Sequence, residues 1–355
     1  MLLFAKVTAS SPSAAMPLAR HLASPEATVE PATLRPDTPS HLAEVTGMDA
    51  GKALTMREVA CLLAGRTIEG KRIEGRRYQE NGVSAFDFIL TPDKSVSVAW
   101  AFGSPSEQEV LLAAHKAAGL TAMEEVAERI GHIRRGAGGR DGMVPGDITW
   151  AATIHATSKP MLEDGRLTHG DPDLHTHYSV PNVAATKEGQ VGALHSIQLS
   201  GHVKRIGMAY QDALRDRLRQ LGADVGAHAI TGAAVLQDIP DRIREHFSRR
   251  GREVREIGSR RRFTGDAARD AALAMDGRPD KAAWSAEARG IGWTPSPVIP
   301  HPLVARAKEV WRDIQGLTPG ALADMFQRQR EVKALSPDHG PDLSARAGEQ
   351  GVPDR

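Results

Sequence analysis

Apolar and polar residues follow two rhythms along this chain. In "TMREVACLLAG" (55–65) and "SPSEQEVLLAAHKAAGLTAMEEVAERIG" (104–131) the apolar positions recur at helical spacing, and each stretch opens with a hydroxyl residue followed three positions later by glutamate. Thr55 with Glu58, and Ser104 with Glu107, have the capping-box pattern, in which hydroxyl and carboxylate satisfy backbone N–H groups that a helix start leaves without an acceptor. Pro105 falls at the first helical position, where its missing N–H is not needed, and Gly65 ends the first helix. Another amphipathic helix is predicted over 203–222, stopped at Gly222.

The second rhythm has a period of two. Residues 1–8, "AFDFIL" (85–90), "DITWAATIHAT" (147–157) and the stretch "GDPDLHTHYSVPNV" (170–183) are predicted strands. "TPDKSVSVAWAFG" follows the second of these with Thr91 at a helix N-cap and Pro92 at the first helical position, and "TKEGQ" (186–190) turns the chain into "VGAL". The last two strands are joined by an insert, "KPMLEDGRLTHGDP", without helical periodicity. That favours a central antiparallel sheet flanked by helices, an α+β fold, over a parallel doubly wound sheet. Residues 9–45 are rich in Ser, Pro and Ala with one helix-like patch, "AAMPLARHLAS", and are expected to be loosely ordered. Beyond residue 240 the chain is Arg-rich and less regular, and its last 20 or so residues look like a frayed tail.

Composition narrows the class little. The 355 residues can bury a sizeable core, and a net charge of +1 excludes a uniformly basic protein, so nucleic-acid binding would need local patches. A single cysteine, Cys61, permits no intramolecular disulfide and fits a reducing cytoplasm; it lies on the apolar face of its helix as a small core residue. No apolar run approaches the roughly 20 residues of a membrane span, and Lys6 interrupts the apolar start, so a soluble cytoplasmic protein is expected. A phosphate loop is excluded: "GMDAGKAL" (47–54) has the wrong glycine spacing and no hydroxyl after Lys52.

Three constellations carry potential chemistry. His175 and His177 share one strand face, about 7 Å apart, and His155 near the end of the preceding strand would meet them if the two strands pair. Three neutral imidazoles leave coordination positions open, as a catalytic ion requires; equally, each could be a strand histidine satisfied by hydrogen bonds. His169, in the insert, reads as a surface residue. Asp87 interrupts an apolar strand on the face opposite Phe86 and Phe88, where a carboxylate is costly unless paired, exposed at a cleft or used as a general base. Lys94 could contact phosphate or pair with Asp93. The stretch 241–263 holds nine arginines, including Arg249 and Arg250, against one Asp and three Glu; it suits a phosphodiester backbone, or a solvated charged helix.

Together, "AFDFILTPDKSVSVAWAFG", "IHATS" and "GDPDLHTHYSVPNV", with "LLAGRTIEGKRIEGRRY" (62–78) before them, resemble the signature of MobF (TrwC-type) conjugative relaxases, members of the HUH endonuclease superfamily. The resemblance runs from about residue 44 to 250. It implies a relaxase core over 46–265 behind a divergent N-terminal segment (1–45), with a C-terminal helical part (266–335) and a disordered tail (336–355); the helicase motor that usually follows in the family is expected to be absent, since no Walker motif occurs. It implies that His155, His175 and His177 ligate a divalent ion, Mg²⁺ or Mn²⁺ by family although three imidazoles also suit Zn²⁺ or Ni²⁺, and that Asp87 orients or deprotonates the nucleophile. Lys94, Arg249 and Arg250 are the candidate DNA contacts. The partner implied is single-stranded DNA at a plasmid transfer origin, with relaxosome and coupling proteins; the reaction is metal-assisted transesterification by a tyrosine near the N-terminus.

One departure stands out. The chain has three tyrosines, Tyr78, Tyr178 and Tyr210, and none at the family's nucleophile positions; the segment that should carry them reads "AAMPLARHLASPE", with His21 where a tyrosine is expected. Lys159, where an arginine is common, and a longer insert between His155 and His175 are lesser departures. The nucleophile is therefore unassigned. A working relaxase, a water-using metal-dependent nuclease and a DNA-binding homologue without cleavage all remain open, whereas a degenerate product would not be expected to keep Asp87 and all three histidines.

Overall fold

The computed structural model describes residues 2–25, 28–79, 81–134, 140–160, 162–163, 166–196, 199–252, 278–300 and 302–304. In chain order its elements are β1 (Leu2–Val7), α1 (Pro12–Ala23), β2 (Thr28–Leu34), α2 (Ser40–Thr46), α3 (Met56–Leu63), β3 (Ala85–Leu90), α4 (Lys94–Phe102), α5 (Pro105–Ile130), β4 (His132–Arg134), β5 (Met143–Pro145), β6 (Ala151–Thr157), β7 (Leu162–Glu163), β8 (Arg166–Leu167), β9 (Pro172–Pro181), β10 (Ala184–Ala185), β11 (Val191–Gly192), α6 (Leu199–Gln220), β12 (Val225–Ala227), β13 (Ala234–Leu236), α7 (Asp241–His246) and α8 (Lys281–Gly290). The tail 336–355, most of the helical part 266–335 and Arg255, Arg260, Arg261 and Arg262 of the basic stretch lie outside the described residues. None of the described helices is long and apolar enough to cross a membrane.

A five-stranded sheet in the order β1-β3-β9-β6-β2 is the frame, with every neighbouring pair antiparallel. Its two faces are made of different material. Phe86, Phe88, Leu174, Tyr178, Val180 and Ile154 share one face and join the main apolar core with α4, α5 and α6. The opposite face carries Asp87, His155, His175 and His177, flanked by a smaller apolar cluster in which Ala15, Ala19 and Leu22 of α1 meet Val59, Leu62 and Leu63 of α3 together with Leu34, Ala85 and Ala151 of the sheet.

Both capping boxes form. Glu58 N–H donates to Thr55 Oγ1 and Thr55 N–H to Glu58 Oε2, at 3.3 and 2.7 Å. At α5 the equivalent bonds join Ser104 and Glu107, and the second carboxylate oxygen of Glu107 accepts from Val298 N–H at 3.0 Å, so one buried acid holds both a helix start and the far C-terminal segment. Gly119 marks where α5 crosses the sheet: a Cβ there would collide with the Tyr178 hydroxyl. Thr91 is not the cap of α4. Asp93 is, its carboxylate accepting from Ser95 N–H at 2.9 Å, because an ionised acceptor next to the first turn satisfies the exposed N–H groups and the helix dipole together. Helix α6 starts at Leu199, four residues earlier than its amphipathic pattern indicated.

The N-terminal segment departs most from expectation. The described residues of 9–45 supply α1, the edge strand β2 and most of α2. Their Ser and Pro content is cap chemistry rather than disorder: Ser11 accepts from Ala14 N–H and Pro12 occupies the first helical turn. Two strands of this segment, β1 and β2, thus form the edges of the same sheet as β3, β9 and β6.

In the main core, His115 of α5 is fully buried between the Tyr210 hydroxyl (2.6 Å) and Thr176 Oγ1 (2.7 Å). Burial above all, then neighbouring positive charge, pushes its pKa from 6.5 down to about 3. The unfolded chain then binds the extra proton first as pH falls, so this contribution is complete above pH 6.5 and shrinks on acidification. At pH 5 the loss from His115 is about 2 kcal/mol, and urea midpoints of the wild type and His115→Gln at pH 7 and 5 will show it as a flatter acid slope in the variant.

Candidate functional site

Register brings the sequence-predicted histidines together. His155 of β6 lies directly opposite His175 of β9, and His177 lies two residues further along β9, opposite Thr153. Because side chains alternate, all three project from the same face, and each pair of their ring centroids is 5.2 Å apart. Asp87 comes from β3, on the other side of β9.

The rings are oriented from behind. His177 donates through Nδ1 to Asp87 Oδ2 at 2.8 Å, and His175 donates through Nδ1 to the Asp173 carbonyl at 2.8 Å. Those bonds leave the Nε2 lone pair of each free to act as a donor to a metal. Asp87, which the resemblance implies serves the nucleophile, is 5% exposed and occupied by His177; its other oxygen, Oδ1, is buried with no hydrogen-bond partner. Burial, then the neighbouring imidazoles His175, His177 and His21, lowers the His155 pKa to about 2. Burial likewise lowers His175 to about 4, against the opposing pull of Asp173. Both rings are therefore neutral at physiological pH, which is the form that binds metal.

Sequence reasoning placed His21 only as a substitution and missed its position. It stands in the last turn of α1, its ring 5.3 Å from His155 and 5.9 Å from His177. One ligand atom from each of His21, His155 and His177 lies within 4.8 Å of the others, a spacing able to hold a cation. The negative end of α1 faces the same place, with the Leu22 carbonyl oxygen 3.4 Å from His155 Nε2. Sequence signal for this was weak, because α1 reaches the sheet through a contact spanning 133 residues.

The other candidates lie apart from the cluster. Lys94, considered for phosphate or for Asp93, donates to Asp173 Oδ1 at 2.8 Å and to the Pro172 carbonyl at 2.6 Å, steadying the start of β9, the strand that carries His175. Arg249 pairs with the fully buried carboxylate of Asp171 at 2.7 Å and with Glu287 of α8 at 3.2 Å. Arg250 follows at a half-buried position. His169 is half-buried: it and His246 both bond Glu287. Cys61 is buried in α3 as expected.

None of the three tyrosines reaches the histidines with its hydroxyl. Tyr78 O–H donates to the Gly65 carbonyl and accepts from Ile73 N–H, its ring flanked by the guanidinium groups of Arg66 and Arg76 at 4.7 and 4.5 Å. Tyr178 points to the opposite face of β9, where burial raises its pKa. Tyr210 is buried against His115.

The ion pair of Arg249 has a measurable consequence. Arg249→Met leaves Asp171 buried without its cation, which is expected to cost about 3–5 kcal/mol, read as a lowered denaturation midpoint.

With this geometry in place, the comparisons can be stated. A model of the TrwC relaxase family matches residues 39–294. No curated protein sequence matches the chain. Among solved structures, the metal-bound conjugative relaxase TrwC in complex with oriT DNA has a similar fold, with 22% identity, a TM-score of 0.63, and coverage of 83% of this chain and 99% of that one. Its metal-free complex, 22% identical and covering 83% of this chain and 100% of that one, gives a TM-score of 0.61. TrwC complexed with a 27-mer DNA comprising the recognition hairpin and the cleavage site, 22% identical with 83% and 99% covered, gives 0.59. β1 and β2, which precede the matched residues, belong to the same sheet as β3, β6 and β9, and the chain, matched over 39–294, belongs to the TrwC relaxase family.

Proposed function

We propose that this protein binds single-stranded DNA at a transfer origin and nicks one phosphodiester at the histidine face of its sheet. The observation that carries the reading is the meeting of His155, His175 and His177 with Asp87 on one face of three adjacent strands, in a chain of this family. His155, His175 and His177 would hold a divalent cation, which when bound supplies Lewis-acid stabilisation of charge on the scissile phosphate. Asp87 acts as a positioning residue: it fixes the tautomer of His177 and raises the basicity of the donor nitrogen. Lys94 does the same for the His175 loop through Asp173. α1, α3 and the sheet shelter this face, so charge stabilisation there is screened less than in water.

The positions of the tyrosines favour a second reading, in which the attacking group is water rather than a tyrosine of this chain. Tyr78, Tyr178 and Tyr210 each have their hydroxyl or face committed elsewhere. A denaturing-gel assay with single-stranded DNA from the gene's own upstream region, in Mg²⁺ or Mn²⁺, separates the readings. A shifted protein–DNA band makes the chain a working transesterase; cut DNA without a band makes it a hydrolytic nuclease. Binding without cleavage in these ions or in Zn²⁺ or Ni²⁺ overturns nicking and leaves a DNA-binding homologue.

Asp87→Asn is expected to weaken divalent-ion affinity about 10- to 100-fold, measured by isothermal titration, with the midpoint of unfolding of the metal-free protein changing less than in Arg249→Met.

A further inference from the structure

We infer that His21 is a fourth metal donor, so that this site is a four-imidazole centre selective for a borderline transition ion of the Zn²⁺, Ni²⁺ or Cu²⁺ class. The inference deepens the proposed function and rests on its reading of the histidine face as a metal site.

Three observations support it. The first is spacing: His21, His155 and His177 each place a ligand atom within 4.8 Å of the others, so His21 shares a potential cation position with the two strand histidines nearest to it. His155 and His177 are the common pair. His21 contacts both, and the His175 ring lies 5.2 Å from both with its ligand atoms outside the 4.8 Å group, so the cation position lies among rings from α1, β6 and β9. The second is polarity. His21 is in the last turn of a twelve-residue helix, and the end of a helix where carbonyl oxygens are unsatisfied favours a cation and disfavours a phosphate. The 3.4 Å approach of the Leu22 carbonyl to His155 Nε2 shows where that end is directed. The third is the composition of the donor set. Four neutral imidazoles offer no oxygen, and hard ions such as Mg²⁺ require oxygen donors in octahedral geometry, whereas imidazole suits Zn²⁺, Ni²⁺ and Cu²⁺.

A functional consequence follows. Three protein donors leave a coordination position for a substrate oxygen, and four donors in tetrahedral array close it. His21 therefore competes with the DNA phosphate for the same position. Because His21 is carried on α1 rather than on the sheet, α1 is the element that must yield for substrate to enter.

The test uses the full chain, stripped of metal and titrated with Co²⁺ alone. The wild type is expected to give the intense visible absorption of four-coordinate Co²⁺. In His21→Ala that band weakens toward the faint spectrum of higher coordination and the affinity falls by at least about 10-fold, the smaller effect expected even for an outer partner of a ligand. His21→Cys, which supplies a thiolate in place of the imidazole, restores tight binding with a red-shifted band; far-ultraviolet circular dichroism of both variants shows that α1 is retained. An unchanged spectrum and affinity in His21→Ala, while His155→Ala and His177→Ala lose binding, overturns the fourth donor and leaves the proposed function standing. Absence of Co²⁺ binding in the wild type overturns both. An acid-labile, alkali-stable DNA adduct on His21 would also overturn the inference, because a nitrogen that attacks phosphorus is not available to a metal.

Discussion

The antiparallel register of β9 between β3 and β6 is the constraint on which the rest of this structure depends. Side chains alternate along a strand, so a slip of one residue would move His175 and His177 to the apolar face and turn Tyr178 and Leu174 toward α1. The sheet resists that slip because its faces differ. Phe86, Phe88, Val180 and Ile154 bury against α4, α5 and α6, and polar side chains placed there would lose hydrogen bonds to water without replacement. The apolar core thus specifies the polar site behind it. His155 opposite His175 is a consequence of burying the alternate residues of the same strands.

Behind the site, orientation passes through short chains of hydrogen bonds. Asp87 to His177, and Lys94 to Asp173 to His175, convert flexible rings into directed donors. Charges that a sequence-level view would assign to solvent are used this way throughout. Arg249 neutralises Asp171 beneath the loop that precedes β9, and Glu287 gathers His169, His246 and Arg249 around α8. The histidine face of this chain is thus backed by a layer of ion pairs that do not themselves face it.

What the sequence revealed was local. Capping boxes at Thr55 and Ser104, the parity of His175 and His177, and the isolated acid in "AFDFIL" are short-range patterns, and each corresponds to what the fold displays. The failures are long-range or depend on competition between local alternatives. Composition made residues 9–45 look loose because Ser and Pro serve equally in caps and in disorder; only pairing of β2 with β6 decides between them. His21 could not be placed because its partners lie more than a hundred residues away. For Lys94 and Arg249 the sequence left a phosphate and a carboxylate equally open as partners, and the fold supplies carboxylates, Asp173 and Asp171, through the turn into β9, which leaves their contact with DNA untested.

Glu107 shows how far apart such dependencies can reach. Its carboxylate closes the first turn of the longest helix with one oxygen and receives the backbone of Val298 with the other, and Ile299 N–H lies 3.5 Å from that same oxygen. Opening of the segment around residue 298 therefore disturbs the same acid that caps α5, the helix against which the histidine-bearing sheet is packed. The C-terminal segment and the start of α5 should exchange their amide hydrogens as one cooperative unit, although nearly two hundred residues of sequence separate them.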